Sequence, residues 1–230
     1  MCGRYVLNAT LKNLEEKYGA VPEGTYSLKP NYNVAPSLDM PIIREKDEQP
    51  VIQKFRWGLV PFWADSIQTK YTMINARAET LDQKRSYAGP FKSKRCVVPA
   101  SGFYEWKTTA GGEKIPHYIT LKSSPIMNMA GLYEKWEPKE EQGDPVYSFT
   151  IITTDANKPM ADLHDRMPAF LLDEEVSLWL DADNQQVAGL KELLRPWPDD
   201  DIDYYRVGKQ VNNARTNGEE LISPYRDLFS

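Results

Sequence analysis

The sequence predicts an α+β fold, a single domain over residues 1–230 built on a mainly antiparallel, barrel-like β-sheet with peripheral helices. Thirteen Tyr, six Trp and seven Phe favour strands, and seventeen Pro favour loops over long helices. Apolar or alternating runs of strand length recur along the chain, whereas helical spacing is confined to a few short stretches. No composition break or linker divides the chain, and its length suffices for a sizeable buried core.

The elements follow in order. In TLKNLEEKYG, Thr10 is a helix N-cap and Gly19 lies just past the end of a short amphipathic helix. PNYNVAPS reads as turn-rich, and VIQKFRWGLVPFW as strand material ended by Pro61. RCVVPASGFYEW holds one strand, a turn from Pro99 to Gly102 and a second strand. HYITL, IMNMAGLYEKW and VYSFTIITTDA alternate or run apolar as strands do, with EPKEEQGDP a charged loop between the last two. EEVSLWL and QQVAGLKELLRPW have helical spacing, and DYYRVGKQV returns to strand.

Net charge is −5, which argues against indiscriminate nucleic-acid binding. Residues 1–122 nevertheless carry a net +6 and residues 123–230 a net −11. Such asymmetry marks either a basic binding face backed by an acidic one or an ordinary mixed-charge surface. Two cysteines cannot build a disulfide framework or a thiol-rich zinc site, so no metal is expected. The N-terminal segment lacks the apolar core of a signal peptide, and no run approaches membrane-spanning length. The expectation is a cytoplasmic protein without a membrane partner; a monomer is expected, although the absence of a heptad or interface stripe leaves the oligomeric state unread.

Cys2 directly follows the initiator methionine. Removal of Met1 leaves a thiol and a free α-amine on adjacent carbons, a pair that no internal cysteine owns. Cys96, followed by two valines, reads as a core thiol. In MINARAET, Asn75 and Arg77 share one face of an extended segment. The Asn75 amide suits an oxyanion or sugar hydroxyl, or else a turn backbone. Glu105 lies between Tyr104 and Trp106, where desolvation would raise its pKa toward the range of general acid–base work. An exposed strand carboxylate is the competing reading. His164, in ADLHDRMP, is flanked by Asp162, Asp165 and Arg166, and imidazole moves protons near neutral pH. His117 falls within a strand and reads as structural. Basic residues cluster in KRSYAGPFKSKR, with Arg4, Lys54, Arg56 and Arg77 in the same half. Aromatics including Trp57, Trp63 and Trp106 interleave with them. Cations with flat stacking surfaces suit single-stranded nucleic acid, although most of these rings also fit a core.

Taken together, MCGRY, PNYNVAP, RWGLVPFWA, INARAET, CVVPASGFYEWK, TIITTDAN, LHDRMP and VNNARTNG resemble the SOS response-associated peptidase (SRAP) family, in order and over nearly the whole chain. The resemblance implies a barrel-like α+β fold and a sensor and shield of abasic sites in single-stranded DNA, nucleoid-associated when bound. It implies self-removal of Met1 and a covalent DNA–protein crosslink through Cys2, with Asn75, Glu105 and His164 as catalytic neighbours. By the same resemblance Arg4, Arg77 and Arg166 hold phosphates, Pro36 and Trp63 wedge or stack against bases, and Trp106 joins the DNA-facing set.

The chemistry of residue two agrees. An α-amine with a reference pKa of about 8 has a neutral fraction that attacks the ring-opened sugar aldehyde. The adjacent thiol then closes a five-membered thiazolidine on the same carbon, intramolecularly. These are proton transfers and additions, so no cofactor is expected. Two other readings stay open: an N-terminal-nucleophile cysteine peptidase acting on proteins in trans, and a non-catalytic single-strand DNA binding module.

Overall fold

The computed structural model describes residues 2–25, 27–67, 73–139 and 143–226. In chain order the strands are β1 (Tyr5–Leu7), β2 (Val21–Pro22), β3 (Asn31–Val34), β4 (Asp39–Lys46), β5 (Gln49–Trp57), β6 (Asn75–Arg77) and β7 (Arg95–Ala100). They continue as β8 (Gly102–Thr108), β9 (Lys114–Leu121), β10 (Met127–Trp136), β11 (Val146–Asp155), β12 (Arg166–Pro168) and β13 (Ile202–Arg206). The short helices are α1 (Leu11–Tyr18), α2 (Arg85–Ser93), α3 (Lys158–Ala161), α4 (Val176–Leu180) and α5 (Val187–Glu192).

Strands β5, β4, β7, β10 and β11 pair antiparallel in that order. β11 then returns parallel to β5 at Ser148↔Arg56 and Phe149↔Trp57, which closes a barrel. β6 and β12 ride on β11, and β2 on β5. A second, five-stranded sheet runs in the order β13-β9-β8-β1-β3. The fold is therefore α+β and mainly antiparallel. All six residues of β7 are buried, because the barrel interior takes one face and α2 and α4 contact the strand from outside.

Local chemistry explains several boundaries. Thr10 Oγ1 accepts from the Asn13 amide at 3.2 Å and Asn13 Oδ1 accepts from the Thr10 amide at 2.9 Å, a reciprocal cap that starts α1. β5 stops three residues before the expected Pro61, at Gly58, whose φ of +119° an L side chain rarely adopts. Gly102 lets β8 begin directly after β7, since a Cβ there would lie 2.4 Å from the Tyr118 ring.

Some expectations need correction. Asn31–Val34 within PNYNVAPS is strand β3, because its backbone pairs with β1. KRSYAGPFKSKR contains helix α2, with Pro90 tolerated near its end. EEVSLWL begins as a 3-10 turn at Asp173–Glu175 before α4, and α5 ends at Glu192, short of Pro196. DYYRVGKQV is strand only to Arg206 and continues as a 3-10 turn at Lys209–Asn212.

Candidate active site

β1 pairs with β8 only at Tyr5↔Phe103 and Val6↔Gly102, so β8 runs on beyond its neighbour. The Tyr104 amide donates to the Arg4 carbonyl at 2.9 Å, and the chain then carries Cys2 toward β6. β6 is seated by parallel pairing with β11, Ile151 opposite Asn75. From there Asn75 Nδ2 donates to the Cys2 carbonyl at 2.8 Å. Asn75 Oδ1 is buried and, among the described residues, has no hydrogen-bond partner. The Tyr87 hydroxyl donates to the Asn75 carbonyl at 3.3 Å, which fixes the strand carrying this amide.

Cys2 is fully buried, its Sγ 3.7 Å from the Arg4 carbonyl. Burial pushes the thiol up to about 12, and the negative charge of Glu105 pushes in the same direction. In the uncleaved chain this sulfur is therefore a protonated thiol at neutral pH. Glu105 is itself buried, 4% exposed, and stands directly across from His117 in the β8–β9 register.

Glu105, Trp106, Lys114, Leu163, His164 and Asn212 line one cavity of about 560 Å³. His164 reaches it from the turn after α3, where its amide donates to the Met160 carbonyl at 2.9 Å. Its Nδ1 lies 3.0 Å from the Arg166 amide and 2.6 Å from Asp165 Oδ1, so the backbone and a carboxylate fix this edge of the ring while the ring itself lines the cavity.

The DNA-facing set divides. Arg77 is exposed on β6, two residues from Asn75. Trp106 is half-buried at the cavity, its Nε1 donating to Asn212 Oδ1 at 2.8 Å. Trp63 is partly exposed, with the Arg85 guanidinium 4.9 Å from its ring centre. Pro36 lines a separate cavity of about 220 Å³ with Arg56, Trp57 and Ile74. Arg4 Nη1 donates to Asn33 Oδ1 at 2.7 Å and to the Val211 carbonyl at 3.0 Å.

Arg166 differs most from its expected role. It is buried, and its guanidinium meets Glu79 at 2.8 and 3.0 Å, Asp155 at 2.5 Å and the Thr153 carbonyl at 2.6 Å. A phosphate there would have to displace two carboxylates. The observed role of Arg166 is to tie β12 to β11 and thereby seat His164.

Sequence reasoning missed Asn33, Tyr87 and Asn212. The signal for Asn33 was present as an asparagine between tyrosine and valine in an apolar segment. Tyr87 and Asn212 stand in KRSYAGPFKSKR and VNNARTNG, but nothing in those segments points to their partners Asn75 and Trp106, which are 12 and 106 residues away. Among the described residues no three of His, Cys, Asp or Glu converge as metal ligands. No helix among them is long and apolar enough to cross a membrane.

Three comparisons bear on this arrangement. Residues 1–214 match the family described as SOS response associated peptidase (SRAP). The abasic site processing protein YoqW of Bacillus subtilis is 45% identical over 228 residues, covering 98% of this chain and all of that protein. The abasic site processing protein HMCES of Pongo abelii is 35% identical, covering 85% of this chain and 65% of that protein. Among solved structures, a crystal structure of a protein from Bacteroides thetaiotaomicron superposes with a TM-score of 0.89 at 32% identity, over 98% of this chain and 100% of that one.

Proposed function

The chain belongs to the SOS response associated peptidase family, and from that premise we propose that it captures abasic sites in single-stranded DNA through the aminothiol of Cys2. The named relatives are abasic site processing proteins, which supports the substrate class. The observation that carries the reading is local. Asn75 holds the carbonyl of Cys2 at 2.8 Å while the charge of Glu105, a wall of the adjoining cavity, acts on the Cys2 thiol.

The reaction begins with self-removal of Met1, which frees the Cys2 amine. Asn75 orients that amine, and its buried Oδ1, without a hydrogen-bond partner among the described residues, is a ready acceptor. His164 protonates the sugar ring oxygen as its bond to C1 breaks, and the C1 hydroxyl releases its proton to solvent as it becomes the aldehyde. The amine adds to the aldehyde carbon, and the carbonyl oxygen leaves as water with both amine hydrogens to give an imine. The thiol sulfur then adds to the same carbon, and Glu105 relays the thiol proton to nitrogen. Of the three hydrogens on amine and thiol, one stays on nitrogen and two leave in the water. Holding both nucleophiles on one residue makes the ring closure intramolecular. Arg77 meets a flanking phosphate and Trp106 offers a stacking surface.

The test uses a single-stranded oligonucleotide with one abasic site, resolved on a denaturing gel and by intact mass. The expected product lacks Met1 and weighs one water less than protein plus DNA. Cys2→Ala is expected to abolish it. Active material that retains Met1, or attachment at another residue, would overturn the mechanism. Turnover of peptides in trans would instead favour a general peptidase.

A further inference from the structure

After β13 the chain does not leave the molecule. The Val207 amide donates to the Pro116 carbonyl at 3.0 Å, at one edge of the five-stranded sheet. Residues 211–217 are bonded to β3, at the opposite edge. The segment is therefore a strap across the full width of the sheet. Val207, Val211 and Leu221 from the strap pack on Val6, Tyr104 and Tyr118 to form a second buried cluster.

The buckle is Asn33, which is 1% exposed. Its Nδ2 faces the carbonyls of Val211, Asn213 and Thr216 at 3.4, 3.0 and 2.8 Å, and its Oδ1 accepts from Arg4 at 2.7 Å. Next to it the Tyr32 amide donates to Asn217 Oδ1 at 2.8 Å. One buried amide thus gathers three strap carbonyls and the arginine two residues after Cys2. The held strap brings Asn212 to the cavity, where its Oδ1 receives Trp106 Nε1. A free polar loop would not be tied at both edges of a sheet and in its middle.

We infer that this strap is a wall of the aldehyde cavity that selects a strand-borne carbonyl over a small free one, with Asn33 as its positioning residue. The inference rests on the proposed capture reaction. Condensation with a small aldehyde needs only Cys2 and its proton-transfer partners. A nucleotide strand must also lie against Trp106, Arg4 and the strap, whose positions Asn33 fixes. Loosening the strap therefore costs the strand its contacts and leaves the free aldehyde alone.

Asn33→Asp tests this, since an anionic oxygen would replace the amide nitrogen that faces three carbonyls. Asn217→Ala is the companion, since it removes the strap's bond to the Tyr32 amide at an exposed side chain outside the cavity. Two rates are measured on Met1-free protein by intact mass: condensation with glycolaldehyde, and crosslinking to a single-stranded oligonucleotide bearing one abasic site. The expected result is about a tenfold loss in the DNA rate, the size of one lost charge-assisted or buried hydrogen bond, with the glycolaldehyde rate within about twofold of wild type. Where Asn33→Asp does not yield folded protein, the same split in Asn217→Ala decides. Equal DNA rates in variant and wild type would overturn the strap's role and leave the capture reaction standing. So would a parallel fall of both rates, which marks a merely structural part. Wild-type protein that condenses with neither probe would overturn the capture reaction itself.

Discussion

Cys2 is held as an inert thiol for as long as its nitrogen is a peptide nitrogen. It is fully buried, and its thiol stands at about 12 because burial penalises the thiolate and the Glu105 charge adds to that. With such a value the thiolate fraction at pH 8 is on the order of 10⁻⁴. Removal of Met1 places a cationic amine on the carbon next to the one that bears the sulfur, which favours the thiolate. Chain that retains Met1 by intact mass should therefore alkylate at Cys2 with iodoacetamide at a rate that climbs about tenfold per pH unit beyond pH 9. Chain without Met1 should react at once near pH 8. A plateau near pH 9 in the Met1-bearing form would show that burial does not control this sulfur. Cys96, buried and likewise raised by burial, serves as the internal unreactive reference in both forms.

At the level of elements, the strand set was legible because alternating or wholly apolar runs reflect one or two buried faces. β10 and β11 stand where IMNMAGLYEKW and VYSFTIITTDA predicted them, whereas the expected turn from Pro99 to Gly102 shrinks to Ser101, because Pro99 and Ala100 pair with β10 and Gly102 already pairs with β1. The extended face shared by Asn75 and Arg77 was legible for the same reason. Helices α2 and α3 were not: α2 carries Gly89 and Pro90 within its span, and α3 holds only four residues and owes its shape to tertiary contacts and not to propensity. Arg95 shows what such contacts look like. It is buried at the start of β7 with no carboxylate bonded to it among the described residues, and its guanidinium donates to the carbonyls of Phe91, Lys92, Trp179, Asp181 and Asn184. These carbonyls belong to the ends of α2 and α4 and the turn beyond, which have lost their in-helix partners. A cation at two helix C-termini also meets the negative ends of their dipoles. Replacing Arg95 by Met keeps the stem and orphans the carbonyls, with an expected loss of about 3 kcal/mol and a Tm lower by roughly 6–12 °C. A shift of less than about 2 °C by calorimetry would mean that water replaces the guanidinium without cost. No pattern in KRCVVPA distinguishes this arginine from the basic residues around it.

Over the whole molecule, the charge asymmetry along the chain does not become two faces. β11 from the acidic half closes the barrel against β5 from the basic half, and the strap crosses the sheet that contains β1 and β8. Lys17–Asp173, Lys191–Asp82 and Lys209–Glu113 pair one half with the other at 2.6, 2.6 and 2.5 Å. Linear charge blocks thus predict surface potential poorly when strands from both halves alternate in one barrel. Burial of weak acids is instead the global property that responds to pH. Cys2, Cys96, Tyr5, Tyr18, Tyr87, Tyr104 and Tyr118 are all raised, each with desolvation as the leading cause. Cys2 and Tyr87 reach about 12, from ordinary values of 9.0 and 10.0. The unfolded chain releases these protons at the ordinary values while the folded chain keeps them, so above pH 9 the folded state binds more protons. Stability is then full below about pH 9 and falls as pH rises through the folded values, by about 1.4 kcal/mol per pH unit for each group in that window. Urea midpoints should be level from pH 7 to 9 and drop steeply by pH 10.5. A Tyr87→Phe variant should lose part of that slope, because its ring stays buried and no proton is released on unfolding. An unchanged midpoint from pH 9 to 11 would show that the barrel admits water to these groups, and with it that the site around Cys2 is not held dry by the fold.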